Sequence, residues 1–235
     1  MDISRYEFRD DAGRVHVLRL HPNENAKIAP KGAIVVQTYH FAPEQVETAK
    51  LEADAGTCFD CPFSFKGGKS GGCYTHKGLQ ALGLRSMLRS LNKRKDRIPT
   101  FEREAFGRFL DMCEAARPAL VRLGAYGEPV TMPLATIGPL ACVSDVHTGY
   151  THQWMRPEFQ GFRGILQASV GSEAQARRAA NMGWGIFLTY RPKQADRVQR
   201  MRVMDCPASK ESGKVLTCAE CGACDGSGQI RILNH

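Results

Sequence analysis

The sequence predicts an α/β protein with a partial, (β/α) barrel-like core and a cysteine-rich C-terminal segment that binds metal. Three observations predict it. Strand-like and helix-like stretches alternate through the second half of the chain, as in parallel βαβ units. The central apolar run ends in a glycine- and proline-containing turn at residues 124–129, at the strand end where such sheets keep their chemistry. Seven of the nine cysteines fall into two tight groups, one toward each end of the chain.

From the N-terminus, residues 15–20 alternate apolar and polar like a strand, and residues 33–38 read as a buried strand. Residues 43–53 open with Pro43 and read as a short helix. The glycine-rich stretch 63–72 reads as an irregular loop. Residues 79–91 and 101–116 carry apolar side chains at helical spacing. In the second, Phe101, Ala105, Phe106, Phe109, Leu110 and Cys113 form one stripe, and Pro118 ends the helix. Residues 119–123 are the expected central strand, with Arg122 on the opposite face from Val121 and Leu123, available to a salt bridge inside the sheet. Residues 132–142 read as a helix interrupted by Pro139, and residues 147–154 and 165–170 as strands. Ser172 caps a helix over 174–182, Gly183 stops it, and residues 184–190 return as a strand. The chain thus divides into N-terminal strands and a helix (1–55), an α/β core with the first cysteine group (56–200) and the cysteine-rich segment (201–235).

With 235 residues, 43% hydrophobic and 24% charged, the chain has an ordinary globular composition and can bury a large core. No run approaches the ~18 apolar residues of a membrane span, and the first residues lack a secretory pattern, so a cytoplasmic protein with no membrane partner is expected. In that compartment clustered cysteines mean metal binding or catalysis more often than disulfides. The net charge of +8 gathers at residues 85–97 and 191–202, which read either as solvated faces or as a phosphate-binding rim.

The C-terminal group, Cys206, Cys218, Cys221 and Cys224, has the spacing C-x11-C-x2-C-x2-C. Its continuous C-x2-C-x2-C resembles ferredoxin-type ligation of a 4Fe-4S cluster more than the two separated knuckles of structural zinc. The N-terminal group, Cys58, Cys61 and Cys73, fits a three-cysteine cluster with one open iron, or a zinc site with His76 as fourth ligand. One centre shared by both groups, or two separate centres, both satisfy the spacing. Cys113 and Cys142 read as buried small hydrophobes, and Trp154 and Trp184 as core or pocket wall.

Gly127-Glu128-Pro129 places a carboxylate at a strand end, either as an exposed turn residue or as a grip on a ligand amine. Asp145, His147 and His152, with Tyr150, Gln153 and Trp154, form a polar and aromatic set that could orient a substrate or move protons. Glu128, His152 and Asp145 are therefore the candidate catalytic residues.

The pieces at 58–62, 72–74, 122–129, 149–154, 168–170, 183–184, 206–209 and 218–224 resemble an uncharacterised family of cysteine-rich proteins of phages, plasmids and their bacterial hosts. The same chain is similar to radical S-adenosylmethionine enzymes. That resemblance implies a partial barrel, a three-cysteine cluster at Cys58, Cys61 and Cys73, and a Gly-Gly-Glu-Pro-like cofactor segment at Tyr126, Gly127, Glu128 and Pro129. It further implies an auxiliary cluster on the C-terminal four cysteines. The expected function is an iron–sulfur enzyme of phage or plasmid origin, acting on a nucleotide or nucleic acid in a bacterial host. The alternatives are a non-enzymatic zinc protein, or an iron–sulfur protein, that binds nucleic acid or a host protein.

Overall fold

A computed structural model describes residues 2–66, 69–70, 72–209 and 212–233. Within them the chain forms β1 (Ser4–Arg9), β2 (Val15–Pro22), β3 (Ile34–Phe41), α1 (Pro43–Thr48) and α2 (Ala55–Cys58). A short hairpin of β4 (Phe65–Lys66) and β5 (Lys69–Ser70) precedes α3 (Gly78–Lys93), α4 (Arg103–Ala116), β6 (Leu120–Tyr126), α5 (Leu134–Ala141) and β7 (His147–Thr151). The chain continues through β8 (Gln167–Val170), α6 (Glu173–Asn181), β9 (Ile186–Tyr190), α7 (Ala195–Gln199), β10 (Met204–Asp205), α8 (Cys218–Cys221) and β11 (Gln229–Leu233).

Nine strands make one open, mostly parallel sheet in the order β1-β2-β3-β6-β7-β8-β9-β11-β10. Only β1, β2 and β3 pair antiparallel; every pairing from β3 onward is parallel. The expected α/β class with parallel βαβ units is therefore present, and β1 and β10 are the edges. One face of the sheet is apolar and carries the helices. Val121, Leu123, Ala168, Val170, Ile186 and Leu188 meet Phe106 and Phe109 of α4, Ile137 and Leu140 of α5, and Ala176 and Ala179 of α6 in a single core. Each valine, leucine, isoleucine or phenylalanine among them contributes ~1.5–3 kcal/mol on burial.

Several expectations shift in detail. Strand β1 was not expected, because Arg5 and Glu7 interrupt its apolar alternation. Those two pair with each other, and Arg94 also pairs with Glu7. Within the expected loop 63–72, Gly67, Gly68 and Gly71 lie outside the described residues, and β4 and β5 form a regular hairpin around the first two. His235 also lies outside them. Of the α4 stripe, Phe106, Phe109 and Cys113 are buried, whereas Phe101 precedes the helix and is 39% exposed. Cys142, expected to be buried, is exposed at the C-cap of α5, one residue beyond the buried Ala141 that ends the helix. Trp154 and Trp184 both sit in the core. The C-terminal segment is woven into the sheet: β11 lies between β9 and β10, and a Cβ on Gly228 would come within 2.0 Å of the Ala223 carbonyl oxygen, so only glycine allows that approach.

In the basic stretch 85–97 three of the six cations form ion pairs on the surface among the described residues, Arg85 with Glu52, Arg94 with Glu7 and Lys95 with Glu47. In the second stretch, Arg200 and Arg202 join Arg177 of α6 around a separate cleft.

Between β2, β3 and β6 runs a buried polar chain. A bulge in the β3–β6 pairing, where Gln37 faces Arg122 but Tyr39 faces Tyr126, leaves the Gly124 N–H free to donate to Thr38 Oγ1 at 2.8 Å. The Thr38 hydroxyl hydrogen then goes to His40 Nε2 (2.9 Å), His40 Nδ1–H donates to His16 Nδ1 (2.9 Å), and His16 Nε2–H donates to Asp10 Oδ2 (3.2 Å). Both imidazoles are fully buried, and burial holds both below the ordinary histidine range; Asp10 opposes this for His16. The unfolded chain, with histidines near pKa 6.5, therefore binds more protons than the fold below that pH. Melting temperature is expected to hold from pH 8 to about 6.5 and to fall below it, by up to ~1.4 kcal/mol of stability per pH unit for each histidine. A His16→Gln/His40→Gln variant, less stable at pH 8, is expected to show a flatter profile in the same thermal melts.

Candidate metal centre

The second face of the sheet lines a cavity of about 670 Å³. Alternate residues of successive parallel strands face it: Arg122 and Gly124 of β6, Thr148 and Tyr150 of β7, Ser169 of β8, Phe187 and Thr189 of β9, and Ile230 and Ile232 of β11. All seven clustered cysteines line this one cavity, together with Glu128 and His152. The two remaining cysteines do not join it; Cys113 is in the helix-side core and Cys142 is on the surface.

The first cysteine set follows β3, the first strand of the parallel run. Asp54, buried at the head of α2, accepts the Phe65 N–H at 3.2 Å and so ties the start of the cysteine loop to its return. Cys61 N–H closes a turn on the Cys58 carbonyl (3.0 Å), and Phe59 between them adopts φ 49°, a left-handed conformation unusual for a side chain of its size. The Ser64 hydroxyl donates to the Cys61 carbonyl at 2.8 Å. Cys73 returns to the same wall through its N–H bond to the Phe63 carbonyl (3.2 Å), and its sulfur lies 3.0 Å from the Thr75 hydroxyl.

The turn after β6 brings Glu128 to these cysteines. Gly127 has φ 76°, and a Cβ there would lie 2.4 Å from the His40 carbonyl oxygen and 2.8 Å from Thr57 Oγ1. Glu128 N–H donates to the Thr57 carbonyl (3.2 Å). The Glu128 carboxylate is buried and fully engaged. It accepts the Thr151 hydroxyl (2.7 Å) on one oxygen and, on the other, the His152 N–H and the His152 Nδ1 (both 3.0 Å). A carboxylate only accepts, so the proton of that last contact sits on Nδ1. The same nitrogen is 3.5 Å from Cys61 Sγ. Burial alone would favour neutral imidazole, but the Cys61 sulfur and the Glu128 carboxylate outweigh it and raise His152 to about 10. Cys61, Glu128 and His152 have ligand atoms within 4.8 Å of one another, the single such set among the described residues. Tyr126 is buried, with its hydroxyl accepting from Gln45 Nε2 at 2.6 Å.

Of the candidate catalytic residues, Glu128 and His152 are thus brought together and Asp145 is not. Asp145 is exposed before β7, whereas His152 follows its end, and the five residues of β7 span roughly 16 Å of extended backbone. His147 begins that strand, bonded to the Ile165 carbonyl (3.1 Å). His76 stacks on Phe65, with centroids 4.2 Å apart, and its Nε2 is 3.8 Å from Asp54. It is absent from the cavity wall, so it does not share the space of Cys58, Cys61 and Cys73.

The second set is built by the C-terminal segment. Cys206 follows β10, and its N–H donates to the Arg231 carbonyl of β11 (2.8 Å). Thr217 and Glu220 form a reciprocal capping box on α8, which carries Cys218 and Cys221, and Gly222 closes it in the left-handed region. The Cys218 and Ala219 N–H groups dock on the Lys27 and Ile28 carbonyls, both at 2.9 Å. Tyr150, half-buried and paired with the Phe187 ring at 4.2 Å, interacts with the Cys224 sulfur.

Burial pushes the thiols up. Cys58 rises most, with Asp54 and Glu128 adding to the effect; Cys224 is pushed up to about 12; Cys73, Cys206 and Cys218 also rise. Thiols held this way stay protonated unless a metal supplies positive charge. Lys27 and Arg122 act in the opposite sense on Cys218. Asp54, Thr151, Lys27 and Tyr150 were not singled out by spacing as partners of the cysteines. Thr151 and Tyr150 lie on the marked strand end, but Asp54 and Lys27 carry no sequence signal, because the tertiary fold alone brings them in.

Comparison with known protein families, curated proteins and solved structures gives no match to this chain. No described helix is long and apolar enough to cross a membrane.

Replacing Gly127 by alanine is expected to cost at least ~1 kcal/mol, since the φ is unfavourable and the Cβ meets backbone. Chemical denaturation would measure this loss. Metal content per folded chain should fall with it, because the same contact sets Glu128 against Cys61.

Proposed function

We propose that this protein is an iron–sulfur protein carrying two 4Fe-4S clusters in one cavity, and that it works as a radical S-adenosylmethionine-like enzyme. The observation that carries this reading is that both cysteine sets open onto the same inner sheet face. The spacing of the donors supports a cluster over a single zinc on either cysteine set. Four thiolates around one zinc stand about 3.8 Å apart, given Zn–S bonds near 2.3 Å, whereas no three of the seven sulfurs converge within 4.8 Å among the described residues. Cluster ligation spreads its thiolates more widely and takes three or four of them from loops.

The order of elements supports the enzyme reading. Cys58, Cys61 and Cys73 follow the first parallel strand, β3, and Gly127-Glu128-Pro129 ends the second, β6. Six parallel strands from β3 to β11 with an inner cavity support a partial-barrel description. The spacing C-x2-C-x11-C differs from the C-x3-C-x2-C of those enzymes, and the Cys73–Phe63 backbone bond supports the reading by returning the third cysteine to the wall. In this reading Cys58, Cys61 and Cys73 hold the reactive cluster and Cys206, Cys218, Cys221 and Cys224 the second. A bound cluster supplies one-electron chemistry. His152, fixed by Glu128, places an N–H beside the Cys61 sulfur, and Tyr126, Gly127 and Glu128 form the adjoining wall for S-adenosylmethionine. The substrate is read as a nucleotide or nucleic acid, and the protein as a phage- or plasmid-borne, cytoplasmic one of a bacterial host.

The convergence of Cys61, Glu128 and His152 favours a second reading: a zinc held by these three, in a non-enzymatic protein that binds nucleic acid or a host protein.

Protein purified without air is expected to be brown, with about eight irons and eight sulfides per chain; exchanging Cys218, Cys221 and Cys224 for alanine should remove about half of each. A colourless protein with one zinc, lost on exchanging His152, would establish the second reading instead. On reduction, the loaded protein is expected to cleave S-adenosylmethionine to 5′-deoxyadenosine, read by liquid chromatography. Iron-loaded protein that forms none would leave an iron–sulfur protein without that activity.

A further inference from the structure

The two cysteine sets share a cavity but sit in opposite electrostatic surroundings. Around the first, Asp54 is buried at the head of α2 and Glu128 is buried in the cavity wall, where His152 balances it. Around the second, the wall is cationic. Lys27 and Arg122 both line the cavity. The Lys27 backbone is hydrogen-bonded to Cys218 itself, so α8 cannot dock without bringing its cysteines to that residue. Arg122 is on the inner face of β6, next to Thr148 in register on β7. Tyr150, two residues further along β7, reaches Cys224.

A 4Fe-4S core on four thiolates carries about two negative charges when oxidised and about three when reduced, and net charge and hydrogen bonds to sulfur are among the quantities that set its potential. Positive charge from Lys27 and Arg122 acts on this set and favours the added electron. The first set has no comparable excess of positive charge among the groups just named.

We propose that Lys27 and Arg122 hold the C-terminal centre at the higher reduction potential of the two, making it the electron store of the protein. This rests on the reading that both cysteine sets hold clusters. One electron arrives from an external one-electron donor, such as a reduced flavoprotein or ferredoxin-type protein, and takes one core from the 2+ to the 1+ level; no bond forms or breaks and no proton is required.

The test is a dithionite potentiometric titration of the full-length, cluster-loaded protein, followed by electron paramagnetic resonance. A Cys221→Ala/Cys224→Ala variant assigns the signals. In the wild type the C-terminal signal is expected at the less negative potential. Lys27→Gln and Arg122→Gln should each move that signal to more negative potentials and leave the other in place, while Arg122→Lys, which keeps the charge and controls for folding, should move it less. Reduction of the N-terminal centre first, or unmoved potentials in both glutamine variants, overturns the proposal. Iron analysis of each sample separates that outcome from failure of the parent reading, in which a set binds no iron and shows no signal.

Discussion

The close contact between Gly127 and the end of β3 is the constraint from which the candidate site follows. A glycine with positive φ lets the turn after β6 lie directly on the His40 carbonyl and on Thr57 of α2, with no side chain between. That contact fixes Glu128 one residue later. Glu128 in turn fixes Thr151 and His152 at the end of β7, and His152 stands beside Cys61. Three separate segments, the cysteine loop, the β6 turn and the β7 end, thus converge through one backbone approach. The bulge that puts Gly124 on Thr38 lies in the same strand, so the buried histidine chain and the cavity share a single irregularity in the β3–β6 pairing.

The thiols give the site a second constraint. Seven cysteines face this space, and burial disfavours the thiolates of Cys58, Cys73, Cys206, Cys218 and Cys224. Such a wall is costly to charge and cheap to metallate, since a cation restores what burial removes. On the C-terminal side the protein adds Lys27 and Arg122. Its acids lie on the other side, where Asp54 and Glu128 push Cys58 up further. Polarity across one cavity is therefore set by residues outside both cysteine motifs.

Much of this architecture was legible in the order of residues, for reasons that differ by element. The α4 stripe and the Ser172 cap report local periodicity and local hydrogen bonding: Phe106, Phe109 and Cys113 of the stripe are buried, and Ser172 accepts the Gln175 N–H. The cysteine groups were legible because their spacing is itself a short-range constraint. Strands β1 and β11 were not, because Arg5, Glu7 and Arg231 break their patterns, and Glu7 and Arg231 find partners far along the chain, in Arg94 and Asp205. Asp145 and His152 looked adjacent in sequence, but an intervening strand converts seven positions into opposite ends of the sheet. Glu128 read equally well as an exposed turn residue, and only the contact with Thr57 and His40 decides its burial. His76 has the right offset from Cys73 for a ligand, yet Phe65 captures its ring.

The position of β11 carries a consequence for how the molecule is made. Residues 229–233 fill the place between β9 and β10, so a chain growing from its N-terminus displays β9 with an unpaired edge until those last strand residues arrive. By then the first cysteine set has been synthesised for more than a hundred residues without its neighbour across the cavity. Its thiols spend that interval open to oxidants and to whatever metal is at hand. Yield and metal identity in a recombinant preparation would then depend on translation speed and on oxygen and iron supply during synthesis, as much as on the finished fold.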